Sequence, residues 1–497
     1  MKIQFLGCFL FCLIASCTSQ WFGSGGISHG SSGPKINLGL HHTRGNWKFS
    51  GSGSTNFRGK WNVGLKATFK FRRSAPLPMF NLSIRANPCR FDLYDQNNDG
   101  YITAEEIHAI FENETLTRTL FHALSGGKVN GRITKDVFDI MSPALVAEIN
   151  GTTCPCNDPS LCQPIQNTSR KEIFVFSLRN HSQIWSKYDW SKITTVVMTG
   201  YINLDLMCLA HKNGARAVII ANYPKANLTN STARSIWVGK QLQVVQNNHL
   251  DGINIDFEDA ILKNETDVRD AYVMLILEVY LAFKKLSPVY QVTVDVAWSP
   301  DGIDDRYYDY ENIGSFVDFL FVMAYDEQSQ IRGPCVAGSN SPLYNAVKGI
   351  KAYHQLGVSP DKLVLGVPWY GYMYTCLNLT NDDFCYIKHV PFRGVNCSDA
   401  AGSQINYSSM KIYLPHSPDG IKWNSVTETP YFNFKVYNLT YQVQFDNPAS
   451  LKIKFQTIQN LGVRGFGMWN ADAVDYIDNS TVAIKERIEM WGAFPTF

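Results

Sequence analysis

The chain has 497 residues, 45% of them hydrophobic and 18% charged, with a formal net charge of +2. That length allows two or three domains and at least one large core. Beyond the N-terminal run no stretch approaches 18 uninterrupted apolar residues, so no membrane anchor is expected.

The chain opens with Lys2, an apolar run over residues 5–14 and then the small residues Ala15, Ser16, Cys17, Thr18 and Ser19. Too short to span a bilayer, this order of charge, apolar stretch and small residues predicts a cleaved secretory signal over 1–19; the competing reading is a buried N-terminal strand. Export would pass the chain through an oxidising compartment and make nucleic acid an improbable partner. Of twelve cysteines, three lie in that leader, eight fall between Cys154 and Cys397, and Cys89 stands apart. The cluster "CPCNDPSLC" (Cys154, Cys156, Cys162) also suggests a metal site, but without neighbouring histidines in an exported chain it predicts disulfides whose pairing stays open. Thirteen Asn-x-Ser/Thr sequons, Asn113, Asn227, Asn378 and Asn438 among them, fit a glycosylated secreted protein.

Near-neutrality hides an asymmetry, because residues 20–74 carry nine Lys or Arg and no Asp or Glu. This Gly/Ser-rich segment, taken as 20–80, ends in the alternation "KWNVGLKATFKF", with Trp61, Val63, Leu65, Ala67, Phe69 and Phe71 on one strand face. The plain reading is a flexible tail with a short β-hairpin. The alternative is a basic arm for an acidic or mineralised extracellular matrix, an anionic polysaccharide or a membrane surface.

Residues 86–145 contain "DQNNDGYITAEE". Ca²⁺ is a hard ion that wants oxygen ligands at fixed offsets in a tight twelve-residue loop. Asp95, Asn97 and Asp99 fill positions 1, 3 and 5, Gly100 stands at 6, Tyr101 offers its carbonyl at 7, Thr103 is at 9, and Glu106 can clamp at 12. With Phe91 and Tyr94 before and Ile107, Ile110 and Phe111 after at helical spacing, the segment resembles an EF-hand. "GGKVNGRITKDV" looks like its partner loop, with Gly131 and Ile133 in place but Gly126, Lys128 and Val137 at ligand positions. One structural or regulatory Ca²⁺ in a small all-α EF-hand pair is therefore expected.

From about residue 150 to the end, eight β-rich segments recur between helical stretches: "EIFVFSL", "TTVVMTGY", "ARAVIIANY", "GINIDFE", "QVTVDVAWS", "VDFLFVMAY", "KLVLGVPWY" and "RGFGMWN". Each is too apolar for a strand with one wet face, so they predict a parallel sheet covered by helices, and eight in about 350 residues predict an α/β fold, the (β/α)8 TIM barrel. The long gap before the last segment, holding Cys376, Cys385 and Cys397, predicts an insertion between strands 7 and 8.

Barrel enzymes place their chemistry at the C-terminal ends of strands, and side chains alternate with period two. In "DGINIDFED", Ile253, Ile255 and Phe257 would face the helices, while Asn254, Asp256 and Glu258 face the axis and Glu258 reaches the mouth. Carboxylates two residues apart repel, which predicts one raised pKa, with a protonated Glu258 as general acid beside an ionised Asp256. A structural carboxylate cluster is the alternative. Aromatic strand ends at Trp298, Tyr325, Trp369 and Trp469 suggest stacking on sugar rings.

"DGINIDFE" resembles the D-x-x-D-x-D-x-E signature of glycoside hydrolase family 18, the chitinase family. "MAYD", "CPCNDPSLCQPI", "YDWSKITTV", "FVMAYDEQSQI", "GVPWYGYMYTCLNLT" and "PFRGVNCSDAAG" narrow the likeness to its di-N-acetylchitobiase branch, over about residues 154–491. Asn254, where chitinases generally have Asp, is similar to that branch. The resemblance implies a retaining, substrate-assisted glycosidase acting on β-1,4-linked N-acetylglucosamine. Glu258 would protonate the glycosidic oxygen, the sugar's 2-acetamido carbonyl would attack C1, and Asp256 would orient the acetamido N–H. Asn254 would hydrogen-bond Asp256, and Tyr325 would donate to the acetamido carbonyl. Asp326, Met323, Trp298 and Trp369 would contact substrate, with Trp469 as the hydrophobic floor. No catalytic cofactor is implied. The expected partners are chitin or N-acetylglucosamine oligosaccharides, and the expected location is extracellular, with the lysosome, where the branch acts, as alternative. A non-catalytic matrix protein that binds chitin and calcium is the competing function.

Overall fold

The computed structural model describes residues 154–497 except 168–169, the backbone of strands lying between 21 and 84, and, between these, 91, 94–111, 117–118, 121, 124–125 and 131–138. The expected signal, Cys89, Asn113, Gly126 and Lys128 lie outside the described residues. The chain divides into two compact units, Met1–Thr153 and Cys154–Phe497.

In the first unit, strands Trp21–Gly30, Gly33–Arg44, Trp47–Thr55, Trp61–Phe69 and Leu82–Ile84 form one antiparallel sheet in chain order, a larger array than a hairpin. Further along, Tyr101–Ile102 pairs antiparallel with Ile133–Thr134, so that Ile102 stands opposite Ile133. Helix Ala104–Phe111 follows at once. Tyr94, Ile102, Ile107, Leu124, Ile133 and Phe138 pack into one buried cluster beneath this pairing.

The second unit is a closed parallel barrel of eight strands: Glu172–Ser177, Thr195–Met198, Arg216–Ala221, Gly252–Ile255, Gln291–Ala297, Phe319–Met323, Leu363–Pro368 and Gly465–Trp469. They coincide, in order, with the eight β-rich segments of the sequence. Each is buried on both faces because both are covered, and most are apolar throughout, the inner faces of strands four and five excepted. Outward side chains such as Val196, Ile253, Ile255, Val292, Val294 and Leu365 merge with the helices into one buried layer. Inward side chains form a second cluster of large rings, with Phe174, Phe176, Phe319 and Phe321 packed edge to face or tilted at centroid distances of 5.0–5.5 Å.

Space for those rings comes from two glycines. A Cβ at Gly366 would lie 2.2 Å from Phe321 Cζ, and one at Gly467 2.2 Å from the Phe174 carbonyl oxygen and 2.7 Å from Phe321 Cε2. Strands seven and eight thus give up side chains so that Phe321 can occupy the axis, a large-against-small arrangement.

At the N-terminal end of the barrel, buried Glu172 is matched by Arg216 at 3.5 Å, Arg464 at 3.3 Å and the Thr194 hydroxyl at 2.5 Å. Charge at this end is paired, as expected of the stabilising face of such a barrel.

Between strands seven and eight, residues 370–444 build a five-stranded antiparallel sheet in the order Gly402–Asn406, Tyr370–Cys376, Leu439–Gln444, Thr429–Val436, Lys422–Asn424. The disulfide Cys335–Cys397 ties the loop after strand six to this insertion, and Cys376–Cys385 closes a hairpin inside it. Cys154–Cys162 closes a loop within the segment entering the barrel, and Cys156–Cys208 fastens that segment to helix Leu204–Lys212. All eight cysteines from Cys154 to Cys397 are paired, and none is left for a metal. In a chain-entropy account, a crosslink spanning 62 residues, as Cys335–Cys397 does, stabilises the fold by about 4 kcal/mol.

Helix Pro448–Gln459, held by an Asn447–Ser450 capping box and a proline at its start, returns the chain to strand eight. Its Lys454 is fully buried, bridging both oxygens of Asp446 at 3.0 Å and the carbonyl and hydroxyl of Ser341. Removing one partner of a buried pair strands the other charge. Lys454→Met is therefore expected to lower unfolding free energy by about 3–5 kcal/mol, read as a shift of the urea midpoint; an unchanged midpoint would contradict this account.

Candidate active site

Strand four ends at Ile255, and residues 256–259 continue past the ladder, anchored by the Asp256 amide donating to the Ala221 carbonyl at 2.9 Å. The alternation expected from the sequence persists. Phe257 packs outward against Tyr272 and Tyr308 at 4.6 and 5.6 Å, while Asn254, Asp256 and Glu258 take the other side. Glu258 is not in the strand but three residues beyond it, with its side chain 46% exposed.

The inner ladder contains a residue that the sequence reading passed over. Asp295, on strand five, accepts a hydrogen bond from Asn254 Nδ2 at 2.7 Å, and Asn254 Oδ1 accepts from the Thr293 hydroxyl at 2.7 Å. Asn254 is thus bonded to Asp295 rather than to Asp256, whose Oδ1 has no hydrogen-bond partner. Three carboxyls then share the axis: Asp295 deepest, Asp256 above it and Glu258 at the rim. Burial first, and the neighbouring Glu258 charge second, push Asp256 up to about 7. Burial and the Asp256 charge push Asp295 well above the usual carboxylate range. Asp256 is thus held towards its protonated form, where the sequence predicts an ionised carboxylate. Glu258 meets a side chain no motif announced: Arg306 Nη2 lies 2.5 Å from Glu258 Oε2, and its Nε donates to the Glu258 carbonyl at 3.2 Å.

Glu258 and Arg306 open into a cavity of about 240 Å³. Ala297, Trp298, Ile303 and Asp304 line it from strand five and its loop, Met323, Tyr325, Asp326 and Ser329 from strand six, and Tyr372, Phe392, Ser398 and Asp399 from the insertion. Asp326 adopts a left-handed backbone, φ 52°. Its amide donates to Asn340 Oδ1 at 2.8 Å, and its carboxylate accepts from the hydroxyls of Tyr370 at 2.5 Å and Tyr372 at 3.0 Å. Burial nevertheless leaves Asp326 raised, and burial together with the Asp326 charge pushes Asp399 up to about 7.

Of the four aromatic strand ends, Tyr325 and Trp298 line this cavity, Trp298 half-buried with the Lys348 ammonium 5.8 Å above its ring. Trp469 points inward and rests on Phe176 at 5.2 Å. Trp369 does not join them. It shares the outward parity of Leu365 and Val367 and is fully buried against Trp491 at 5.1 Å and Phe494 at 6.2 Å. Trp369 is a packing residue on the helix side, one position out of phase with the mouth. Asp295 was legible by the same parity as Asn254; Arg306, Asp304 and Asp399 lie on loops, where no period marks them.

Residues 218–473 match the family described as Glycosyl hydrolases family 18. The chain is 42% identical over 357 residues to the di-N-acetylchitobiase of Mus musculus, covering 72% of this chain and 96% of that protein. It is 40% identical to a probable di-N-acetylchitobiase 2 of Dictyostelium discoideum, over 69% of this chain and 90% of the other. Among solved structures, the Group IV chitinase of Ostrinia furnacalis in complex with allosamidin aligns with a TM-score of 0.51 at 17% identity, over 65% of this chain and 97% of that one. Human YKL-39, described as a pseudo-chitinase with retained chitooligosaccharide binding, aligns with a TM-score of 0.54 at 17% identity, over 65% and 98%. These two likenesses concern the fold.

The raised carboxyls have a consequence for stability. Unfolded Asp and Glu titrate near 4, whereas Asp256 and Asp399 hold their protons to about 7 and buried Glu327 to about 8. The folded chain binds these protons more tightly than the unfolded one, so stability falls as pH rises from about 4 to about 8. The thermal midpoint of the full chain should be several degrees lower at pH 8 than at pH 5, and Glu327→Gln should flatten that slope. Calorimetry across the range checks it, and a midpoint climbing towards pH 8 would refute it.

Proposed function

The chain belongs to the glycosyl hydrolases of family 18, a glycosidase, and from that premise we propose that it cleaves β-1,4-linked N-acetylglucosamine by a retaining, substrate-assisted route. The carrying observation is the Asn254–Asp256–Glu258 ladder emerging into a cavity walled by Tyr325. Chitooligosaccharides, chitin and the chitobiose core of N-glycans share the bond this chemistry breaks.

Glu258, the exposed member of the ladder, gives its proton to the glycosidic oxygen. The 2-acetamido carbonyl oxygen bonds to C1 as the bond from C1 to the departing sugar breaks, so no protein nucleophile is required. Water then adds to C1 as the bond from C1 to the acetamido oxygen breaks and the acetamido carbonyl re-forms, the water passing its proton to Glu258. Asp256 accepts from the acetamido N–H, and Asn254, through Asp295, fixes the floor of the carboxyl stack. Tyr325 donates to the acetamido oxygen, and Trp469 and Trp298 offer ring faces to the sugar. Asp326, presented by Tyr370 and Tyr372, accepts from sugar hydroxyls. Four disulfides support assembly in an oxidising compartment, extracellular or lysosomal.

A second, separate reading is that loop 95–106 takes Ca²⁺. Its donor set of Asp95, Asn97, Asp99, the Tyr101 carbonyl and Glu106 is all oxygen, which suits that ion. The loop is folded around those oxygens. Glu106 Oε1 accepts from the Gln96 amide at 2.9 Å, Asp95 accepts from the amides of Asp99 and Gly100 at 3.1 and 3.0 Å, and Gly100 turns the chain at φ 85°. The pairing of Ile102 with Ile133 supports a two-loop unit.

Wild type and Glu258→Gln incubated with N-acetylchitooligosaccharides should differ by at least about 10³-fold in turnover while binding them comparably. Equal absence of turnover with retained binding would favour a chitin-binding matrix protein instead. In calorimetric titration with Ca²⁺, Glu106→Gln should bind more weakly than wild type, whose Kd is expected at about 10⁻⁴ to 10⁻³ M; indistinguishable isotherms would remove the calcium reading.

A further inference from the structure

Among the described residues lining the active-site cavity, Arg306 is the one basic side chain, against the carboxylates of Glu258, Asp304, Asp326 and Asp399. Its place is built by the fold. A parallel bridge joins Ile261 to Arg306, with the Tyr307 amide donating to the Ile261 carbonyl at 3.0 Å and the Ile261 amide donating to the Asp305 carbonyl at 3.0 Å. Tyr308 OH donates to the Asp259 carbonyl at 2.5 Å, and Tyr310 OH to the Arg306 carbonyl at 2.9 Å. The loop after strand five is thus stitched to the exit of strand four, and the guanidinium is delivered to Glu258.

That guanidinium has two carboxylates within reach. Nη2 stands 2.5 Å from Glu258 Oε2 and 3.8 Å from Asp304 Oδ2. Asp304 is itself held, its Oδ1 accepting from the Ser329 hydroxyl at 2.9 Å and its amide donating to Gln330 Oε1 at 3.1 Å. An acid that must hand its proton to a leaving oxygen cannot keep a charge-assisted bond across the same carboxyl, because the guanidinium holds the carboxylate form and occupies the approach. We propose that Arg306 is a positioning residue for the acid: it pairs with Glu258 while no sugar is bound and shifts onto Asp304 when a sugar enters, freeing Glu258 to carry the proton. This rests on the hydrolase reading above.

The charged and titratable groups facing this pair are Asp256 from the exit of strand four, Tyr272 from helix Thr266–Leu286, Asp295, Asp304, Tyr308 and Tyr310 from strand five and its loop, Tyr325 and Asp326 from strand six and its loop, Tyr353 from helix Leu343–Gln355, and Tyr372 and Asp399 from the insertion. Arg306 is the cation that opposes proton retention at Asp256. Its departure should therefore let the Asp256–Glu258 pair keep its proton to higher pH. The profile of kcat/KM reports the free enzyme and that of kcat the complex.

On N-acetylchitooligosaccharides the wild type should show a basic limb for kcat lying about one pH unit above that for kcat/KM. In Arg306→Gln the kcat/KM limb should rise to meet it, while Arg306→Lys, which keeps the charge, should leave it in place. A purely structural arginine would lower rates without moving either limb. Absent wild-type turnover would overturn the hydrolase reading itself. Turnover with coincident wild-type limbs, or an unmoved limb in Arg306→Gln, would overturn the displacement of Arg306 alone. The wild-type comparison needs no variant, so it decides the matter even where Arg306→Gln fails to fold.

Discussion

Three carboxyl groups crowd one side of a barrel axis, and an ionised carboxylate withdrawn from water is costly unless it is paired or hydrogen-bonded. Asp295, Asp256 and Glu258 cannot all be charged at that spacing and burial, so the stack must retain protons where isolated carboxyls would lose them. The surroundings follow from this constraint. Below, Phe174, Phe176, Phe319 and Phe321 close the axis to solvent and keep the stack in an apolar sleeve. Beside it, Asn254 is oriented by Thr293 and donates into Asp295, providing a hydrogen bond without adding another charge. Above, Arg306 meets the outermost member, where water also reaches it.

The opposite end of the same barrel handles charge differently. Glu172 is fully buried, yet two guanidiniums and a threonine hydroxyl surround it. Away from the axis, between the helices that follow strands six and seven, Lys454 and Asp446, also fully buried, satisfy each other, with Ser341 taking the remaining donors. In both clusters the carboxylate is paired with a cation. Among the described residues, the buried carboxylate oxygens left without a hydrogen-bond partner belong to Asp256, Asp295 and Glu327. An unsatisfied acceptor such as Asp256 Oδ1 is a reason for a ligand's N–H to bind, because an unmet buried polar atom carries a penalty that binding removes.

Much of this was written in local pattern. All eight barrel strands announce themselves as apolar runs, since a strand covered on both faces admits little else. The inward parity of Asn254 and Asp256 follows from period two, even though Glu258 lies past the ladder. The same rule, applied to Trp369, shows why it failed there: an aromatic at a strand end was taken for a mouth residue without counting its phase, and Trp369 belongs with Leu365 and Val367. Side chains that act from loops carry no period. Arg306 is brought to Glu258 by a bridge between two loops 45 residues apart at Ile261 and Arg306, and the proton inventory of the carboxyl pair depends on that encounter. Asp399 and Tyr372 reach the cavity only because an insertion folds over it.

The insertion is a roof, joined to the barrel through strand seven and through Cys335–Cys397. The Asn254–Asp256–Glu258 ladder comes from strand four and its exit, whereas Tyr372, Phe392 and Asp399 on the ceiling come from a stretch of chain more than a hundred residues later. Floor and ceiling of one cavity are therefore encoded apart, and a substitution overhead can reshape the enclosed space without disturbing the carboxyl stack beneath.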